Sequence, residues 1–299
     1  MVIVTDVTDA RIRPMRAEDV VEVERLSSEA FYEVDKRLAR RDGPDPEPRS
    51  AERGAQWVTR TQHYLSTDPG GCWVAEVDAD LVGFATSFTR ELMWVLASYA
   101  VRPGLQGHGI GRALLAAAMQ HGRGCLRGML SASADPRAVR RYRSAGFSLH
   151  PQMHLSGTLD RSAIPVVEKV REGSAGDFEL MDSIDRRLRG AAHGPDHAWL
   201  LSEFRLVVSD TSTGSGYAFH ASDGTPVLLA ATNRRTATRL LWECLAATSG
   251  QAFVPHITAA NEWAVDVGLA ARLDLAQGGF LALRSMRPPA PYLHHGSLL

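Results

Sequence analysis

At 299 residues, with 44% hydrophobic and 22% charged side chains, the chain is long enough for two ordinary domains with real apolar cores. Its 33 basic and 34 acidic residues leave a formal charge of -1, which excludes a global pull toward nucleic acid or an anionic membrane. Cys72, Cys125 and Cys244 are scattered, odd in number and in no metal-ligand spacing, so a reduced cytoplasm and no bound metal are expected.

The opening MVIVTDVTDARIRP lacks a basic segment followed by an apolar one and does not read as a signal peptide. No apolar run is long enough to span a membrane. Ala10–Met15 reads as a strand. Val20, Val23, Leu26, Ala30 and Phe31 then recur at helical spacing, with Asp19 placed to start the helix. The Pro-rich segment RDGPDPEPRS is a loop, and a second helix runs from about Ala51 to Ser66.

Cys72–Val77 and Leu81–Thr89 flank an Asp-rich turn and predict a hairpin; Leu92–Val101 predicts a longer apolar strand. A glycine-rich segment, RPGLQGHGIGRALL, leads into a helix over Arg112–His121. The strand RGMLSA follows, then the helix PRAVRRYRSA, which stops at Gly146. The order βααβββαβα is that of a mixed α/β layer structure.

This order begins again in the second half. Ile12–Val20 (IRPMRAEDV) lines up with Val170–Phe178 (VREGSAGDF), sharing Arg, Ala and Asp at matching places. GYAFHASDGTPVLLAA repeats the hairpin-then-strand pattern, and Asp135–Phe147 finds a counterpart in Asn261–Leu273. A duplication is the economical reading, with domains at 1–158 and 166–299 joined near Gly157–Pro165.

Gln106–Gly111 places three glycines in six positions directly before a helix. A helix start presents backbone N–H groups without intrahelical partners, and the dipole adds positive potential, so phosphate is the natural ligand. A Walker loop would need Gly-Lys-Ser/Thr, and Arg112-Ala113 stands there instead. A dinucleotide fingerprint would need an acidic residue about twenty positions on. The stretch between Gly111 and Asp135 contains none.

YAVRPGLQGHGIGRALL, with Gln106, Gly109 and Gly111 at the matching positions, resembles the acetyl-CoA-binding motif of the GCN5-related N-acetyltransferases (GNAT). Ala138, Tyr142, Gly146 and Phe147 resemble that family's second signature. The resemblance implies an α/β mixed sheet in two tandem GNAT-like domains and a cofactor site of Ala100, Val101, Gln106, Gly107, His108, Gly109, Ile110, Gly111, Arg112, Asp135 and Tyr142. It implies a strand that splays from its neighbour to admit pantetheine, with oxyanion donors among the Ser98–Val101 amides. Tyr142 matches the general acid that protonates the departing thiolate, and Glu91 is the nearest candidate base. Asp135 stands where relatives commonly carry Asn. The last residues, PPAPYLHHGSLL, resemble the tails of two-domain members, a resemblance that would bring the terminal carboxylate of Leu299 to the acceptor site.

In the second half ATNRRTATRLL replaces the glycine loop and Gly268 replaces Tyr142, which marks residues from about 166 onward as a degenerate, catalytically silent copy. Trp199, Trp242 and Trp263 read as core aromatics. The implied activity is acetyl transfer from acetyl-CoA to a primary amine, on a small molecule or a peptide, in a direct ternary complex. The chain resembles two-domain members such as the thiol-cofactor synthases, but there the second half is the active one, so that substrate does not carry over. The alternative is an acetyl-CoA-binding regulatory protein without turnover. Neither a nucleic-acid nor a membrane partner is expected, and a homodimer stays open.

Overall fold

The computed structural model describes residues 10–39 and 45–299. The opening nine residues and the start of the Pro-rich loop at Asp42 lie outside the described residues. No helix among the described residues is long and apolar enough to cross a membrane. Contacts divide the chain into two compact units. The first gathers the residues up to Thr89 with Trp94–Leu126 and Asp135–Arg137; the second gathers Arg90–Met93, Arg127–Ala134 and Ala138–Leu299.

In the first unit β1 (Arg11–Pro14) passes through a short 3-10 turn (Ala17–Asp19) into α1 (Val20–Leu38). Asp19 starts the helix as expected: Oδ2 accepts from the Arg16 amide at 2.7 Å, and the carboxylate takes the Arg13 guanidinium at 2.7 and 2.9 Å. Val20, Val23, Leu26 and Ala30 form the buried stripe. Phe31, grouped with them by spacing, is instead 36% exposed, one position off the face the others share.

Helix α2 (Ala51–Thr67) begins at Ser50, whose hydroxyl accepts from the Arg53 amide at 3.3 Å. Its Trp57 sets an edge on Phe84 (centroids 5.6 Å apart) and its Tyr64 stacks on Phe88 at 5.1 Å. Those phenylalanines belong to β3 (Asp80–Arg90), which pairs antiparallel with β2 (Cys72–Val77). The connecting residues Asp78 and Ala79 take φ of 50° and 68°, the positive angles of a two-residue hairpin turn. With β4 (Met93–Val101) the strand order is β1-β2-β3-β4, and α3 (Ile110–His121) follows β4 across the glycine loop.

The second unit contains β5 (Arg127–Ala132), most of α4 (Pro136–Ser144) and β6 (Ser148–Thr158), then a full second series. That series is β7 (Arg171–Glu172), α5 (Phe178–Leu188), α6 (Asp196–Glu203), β8 (Arg205–Thr211), β9 (Gly214–His220), β10 (Pro226–Ala231), α7 (Arg234–Ala246), β11 (Gln251–Thr258), α8 (Glu262–Ala270) and β12 (Asp274–Arg284). A short β13 (Tyr292–Leu293) closes a five-stranded antiparallel sheet of order β13-β10-β9-β8-β7. The order β-α-α-β-β-β-α-β-α-β therefore occurs twice.

The repeat extends to atoms. Arg171 binds the Asp177 carboxylate at 3.0 and 2.5 Å while Asp177 Oδ2 accepts from the Ser174 amide at 2.9 Å, the arrangement of Arg13, Asp19 and Arg16 once more. Shared Arg and Asp in the sequence thus mean a shared helix-start device.

The units do not follow a break between 158 and 166. Within the second unit the strand order is β5-β12-β6-β11, with all three neighbouring pairs antiparallel. The last strand of each repeat lies beside a strand of the other: β12 on β5, and β6 on β11. Backbone hydrogen bonding to the second series draws β5 and β6 into its compact unit.

Candidate active site

Strand β4 delivers the chain to the glycine loop. Met93–Ala97 are buried, but Ser98, Tyr99 and Ala100 are only half-buried before Val101 is buried again. The loop's base is tied down: Arg102 N donates to Val82 O at 2.8 Å, and Leu105 N to Arg102 O at 3.1 Å. Gln106 contributes through its side chain, whose Nε2 donates to Val101 O at 3.0 Å. Its amide thus braces the loop against the strand it leaves.

Gly104, Gly107 and Gly109 have φ of +86°, +97° and +91°, the left-handed region where a Cβ is strained, and a Cβ on any of them would meet nothing within 4 Å. The space beside them is open, as a cradle for a ligand requires. Gly107, His108 and Gly109 are exposed, as is Arg112. Gly109 caps α3 without a side-chain acceptor, and the first helical bond runs from Ala113 N to Gly109 O at 3.1 Å. The amides of Ile110, Gly111 and Arg112 are therefore the helix's partnerless first donors, and they carry the positive end of its dipole. The main chain here fits a diphosphate.

Gly111 serves a different purpose. A Cβ there would run into the Tyr99 hydroxyl, so this glycine makes room for a side chain of β4 rather than for an anion. Tyr99 had no sequence signal of its own; only its packing on the helix start shows it.

Asp135 is held on two sides. Oδ1 accepts from the Arg137 amide at 3.0 Å, capping α4 ahead of Pro136, and Oδ2 accepts from Arg37 of α1 at 2.9 Å. Both oxygens are engaged in structure.

In the second unit Tyr142 lies on α4 and is buried, as is Phe147, whose amide donates to Tyr142 O at 3.1 Å. Glu91 is the candidate base. It sits in the turn before β4 at φ 51°, where Oε1 accepts from Arg186 Nε at 2.7 Å and Oε2 from the Ala192 amide at 3.2 Å. Both oxygens are committed to anchoring that turn on α5 and the segment after it. Leu298 and Leu299 are fully buried, and Leu299 N donates to His295 O at 3.1 Å.

The counterpart of the glycine loop is a two-residue link. Asn233 caps α7 in extended conformation, Oδ1 accepting from Thr236 N at 2.9 Å and Nδ2 donating to Thr213 O at 2.9 Å. Thr232 Oγ1 accepts from Ser215 N at 3.0 Å. The helix start is filled by the protein's own groups, so no anion cradle exists there. Asn233→Ala, which removes the cap and its tie to Thr213, is expected to lower stability by about 1–2 kcal/mol in a urea titration. Gly268, on α8 where α4 carries Tyr142, packs so tightly on Leu155 that a Cβ would collide with it. Trp199, Trp242 and Trp263 are buried as core residues.

Fold and loop together define an α/β protein of duplicated design with an open, glycine-lined helix start in one repeat. Residues 28–147 match the model of the acetyltransferase (GNAT) family. The chain is 36% identical over 88 residues to the mycothiol acetyltransferase of Streptomyces avermitilis, a match covering 28% of this chain and 29% of that protein, so under a third of either.

Among solved structures, a candidate acetyltransferase from Pyrococcus horikoshii superposes with a TM-score of 0.72 at 16% identity, covering 97% of this chain and 95% of that one. A GCN5-related N-acetyltransferase from Sphaerobacter thermophilus gives 0.58 at 16% identity, over 94% and 96% of the two chains. A tandem GNAT protein from the clavulanic acid biosynthesis pathway gives 0.57 at 14%, over 92% and 98%. Residues 28–147 carry the match to the GNAT family, and along nearly its whole length the chain has the fold of these structures, a tandem GNAT protein among them.

Proposed function

We propose that the chain is an acetyl-CoA-dependent N-acetyltransferase that moves the acetyl group directly to a primary amine of a small molecule or peptide. The observation that carries this reading is the glycine-lined start of α3, open beside Gly104, Gly107 and Gly109, set against the self-capped start of α7. The Ile110–Arg112 amides would hold the diphosphate, with Arg112 adding charge. Ala100 and Val101 would border the thioester from the end of β4, and the Tyr142 phenol would protonate the leaving thiolate. Asp135 would act on the cofactor only through the shape of the α4 start.

Direct transfer suits the thiols. Burial, with Asp68 adding to it, pushes the Cys72 thiol up to about 12, and burial likewise raises that of Cys244, so neither is a ready nucleophile for an acyl-cysteine. The acceptor named for the Streptomyces relative belongs to that protein; a match of 88 residues does not bring it here.

Tyr142→Phe tests the assignment. Thiol release with a panel of amines should fall by about 100-fold in kcat, while acetyl-CoA affinity measured by calorimetry stays within about twofold. Equal loss of both would make Tyr142 a packing residue. The engagement of Glu91 by Arg186 favours a second reading, an acetyl-CoA-binding regulatory protein. Tight cofactor binding with no thiol release on any amine of the panel would select it.

A further inference from the structure

Far from the glycine loop in sequence, the second repeat carries Asp182, Asp185, His193 and His197, a spacing of D-x2-D-x7-H-x3-H that cysteine arithmetic overlooks. Asp182 and Asp185 share a face of α5 one turn apart. His197 stands in the first turn of α6, and His193 lies in the segment leading to it. All four belong to the second unit. The ligand atoms of Asp185, His193 and His197 lie within 4.8 Å of one another, and all three side chains are 0% exposed.

Asp185 is hydrogen-bonded to Tyr217 and His193, but at His197 the geometry is that of donors facing one point. His197 Nε2 is 3.1 Å from Asp182 Oδ1 and 3.3 Å from Asp185 Oδ2, yet neither oxygen lies along the direction of a ring N–H, and Nε2 has no hydrogen-bond partner. A buried imidazole nitrogen flanked by two carboxylates, and hydrogen-bonded to neither, calls for a positive charge between them, a ring proton or a metal cation. For zinc with bonds of about 2.0–2.1 Å, ligands at tetrahedral corners stand about 3.3 Å apart, close to both separations. His193 Nδ1 is 2.7 Å from Asp185 Oδ2, which would widen as an ion enters.

The surroundings orient the donors. Tyr217 Oη donates to Asp185 Oδ1 at 2.6 Å, leaving Oδ2 for the centre, and the Gly194 amide donates to Asp182 Oδ1 at 3.1 Å. The His197 ring is stacked by Phe178 at 5.5 Å and Phe219 at 6.3 Å, an apolar wrapping that fixes its plane. Two carboxylates and two imidazoles make a set of nitrogen and oxygen donors, with the buried Arg189 guanidinium adding a positive charge beside His193.

We propose that Asp182, Asp185, His193 and His197 bind one divalent transition-metal ion, zinc by the chemistry of its donors, as a structural clamp between α5 and α6. The site is closed and buried, so the ion supplies no catalysis.

The test uses the full chain, free of any histidine tag. After dialysis against zinc and then against metal-free buffer, elemental analysis should find about one zinc per chain. Chelator-stripped protein reloaded with cobalt should show the visible bands of tetrahedral nitrogen and oxygen ligation. Tyr217→Phe, which keeps the ring, should weaken zinc by roughly 10–100-fold, and Asp182→Asn should weaken it at least as much. Wild-type protein that retains less than about a tenth of an equivalent and shows no cobalt spectrum would overturn the site, leaving a His197 imidazolium between two carboxylates as the reading. So would zinc retained undiminished in both variants. Because the wild-type spectrum decides on its own, a variant that misfolds does not rescue the proposal. Acetyl-CoA affinity, measured alongside, tests the separate proposal for the glycine loop.

Discussion

Gly109→Glu is expected to abolish measurable acetyl-CoA binding while leaving the fold standing. At φ +91° any Cβ is strained by about 1–3 kcal/mol, and the carboxylate would stand where the Ile110–Arg112 amides converge. Loss of two charge-assisted hydrogen bonds, at about 1.5–3 kcal/mol each, weakens binding by roughly 100-fold or more before like-charge repulsion is counted. An acid at a helix N-terminus is otherwise welcome, so the melting temperature should drop by only a few degrees. Gly109→Ala separates the two contributions, carrying the strain without the charge, and should lose far less affinity. Calorimetry that returned the wild-type Kd for the glutamate variant would remove the loop from the cofactor site. Gly111→Glu is not an equivalent experiment: its side chain would displace Tyr99 from the helix start, and a loss of binding would then report on packing.

What could be read in advance divides along physical lines. Periodicity exposed the stripe Val20, Val23, Leu26 and Ala30, because burial of one helix face is a local property of spacing. Phe31 shows its resolution: a residue one position off the stripe reads the same as one on it. The glycine loop was legible because left-handed backbone with open space beside it selects glycine at Gly107 and Gly109. The same letter at Gly111 answers to Tyr99 instead, and composition cannot tell a gap made for a ligand from a gap made for a neighbour.

Long-range partners were the unreadable part. Glu91 looked free for chemistry until Arg186, 95 residues later, was found on its carboxylate. The placement of β6 and β12 was equally hidden, since a strand's alternation names its buried face and not the strand beside it. Only Asp182 and Asp185 share a helical spacing; His193 and His197 come from the segment before α6 and from its first turn. The histidine and aspartate cluster escaped because no cysteine drew attention to it.

The largest stability effect is expected from Asp196→Ala. Asp196, 0% exposed at the first position of α6, takes the guanidinium of Arg90 at both oxygens, Nε to Oδ2 at 2.8 Å and Nη2 to Oδ1 at 2.5 Å. Arg90 is itself 6% exposed, so water cannot replace the lost counter-charge. Removing one member of a buried ion pair costs about 3–5 kcal/mol. For a chain of this size that is roughly a 6–20 °C fall in melting temperature. The neighbouring pair supplies the contrast: Glu91 and Arg186 are half-exposed and screened, so Glu91→Ala should stay within about 1 kcal/mol despite a 2.7 Å contact. Replacing Arg90 and Asp196 together, by methionine and leucine, should recover most of the loss, because the penalty lies in the surviving charge and not in the missing bond. If the double variant melts as low as Asp196→Ala, the pair's worth lies in its geometry, and the turn before β4 depends on that geometry for its place on α6.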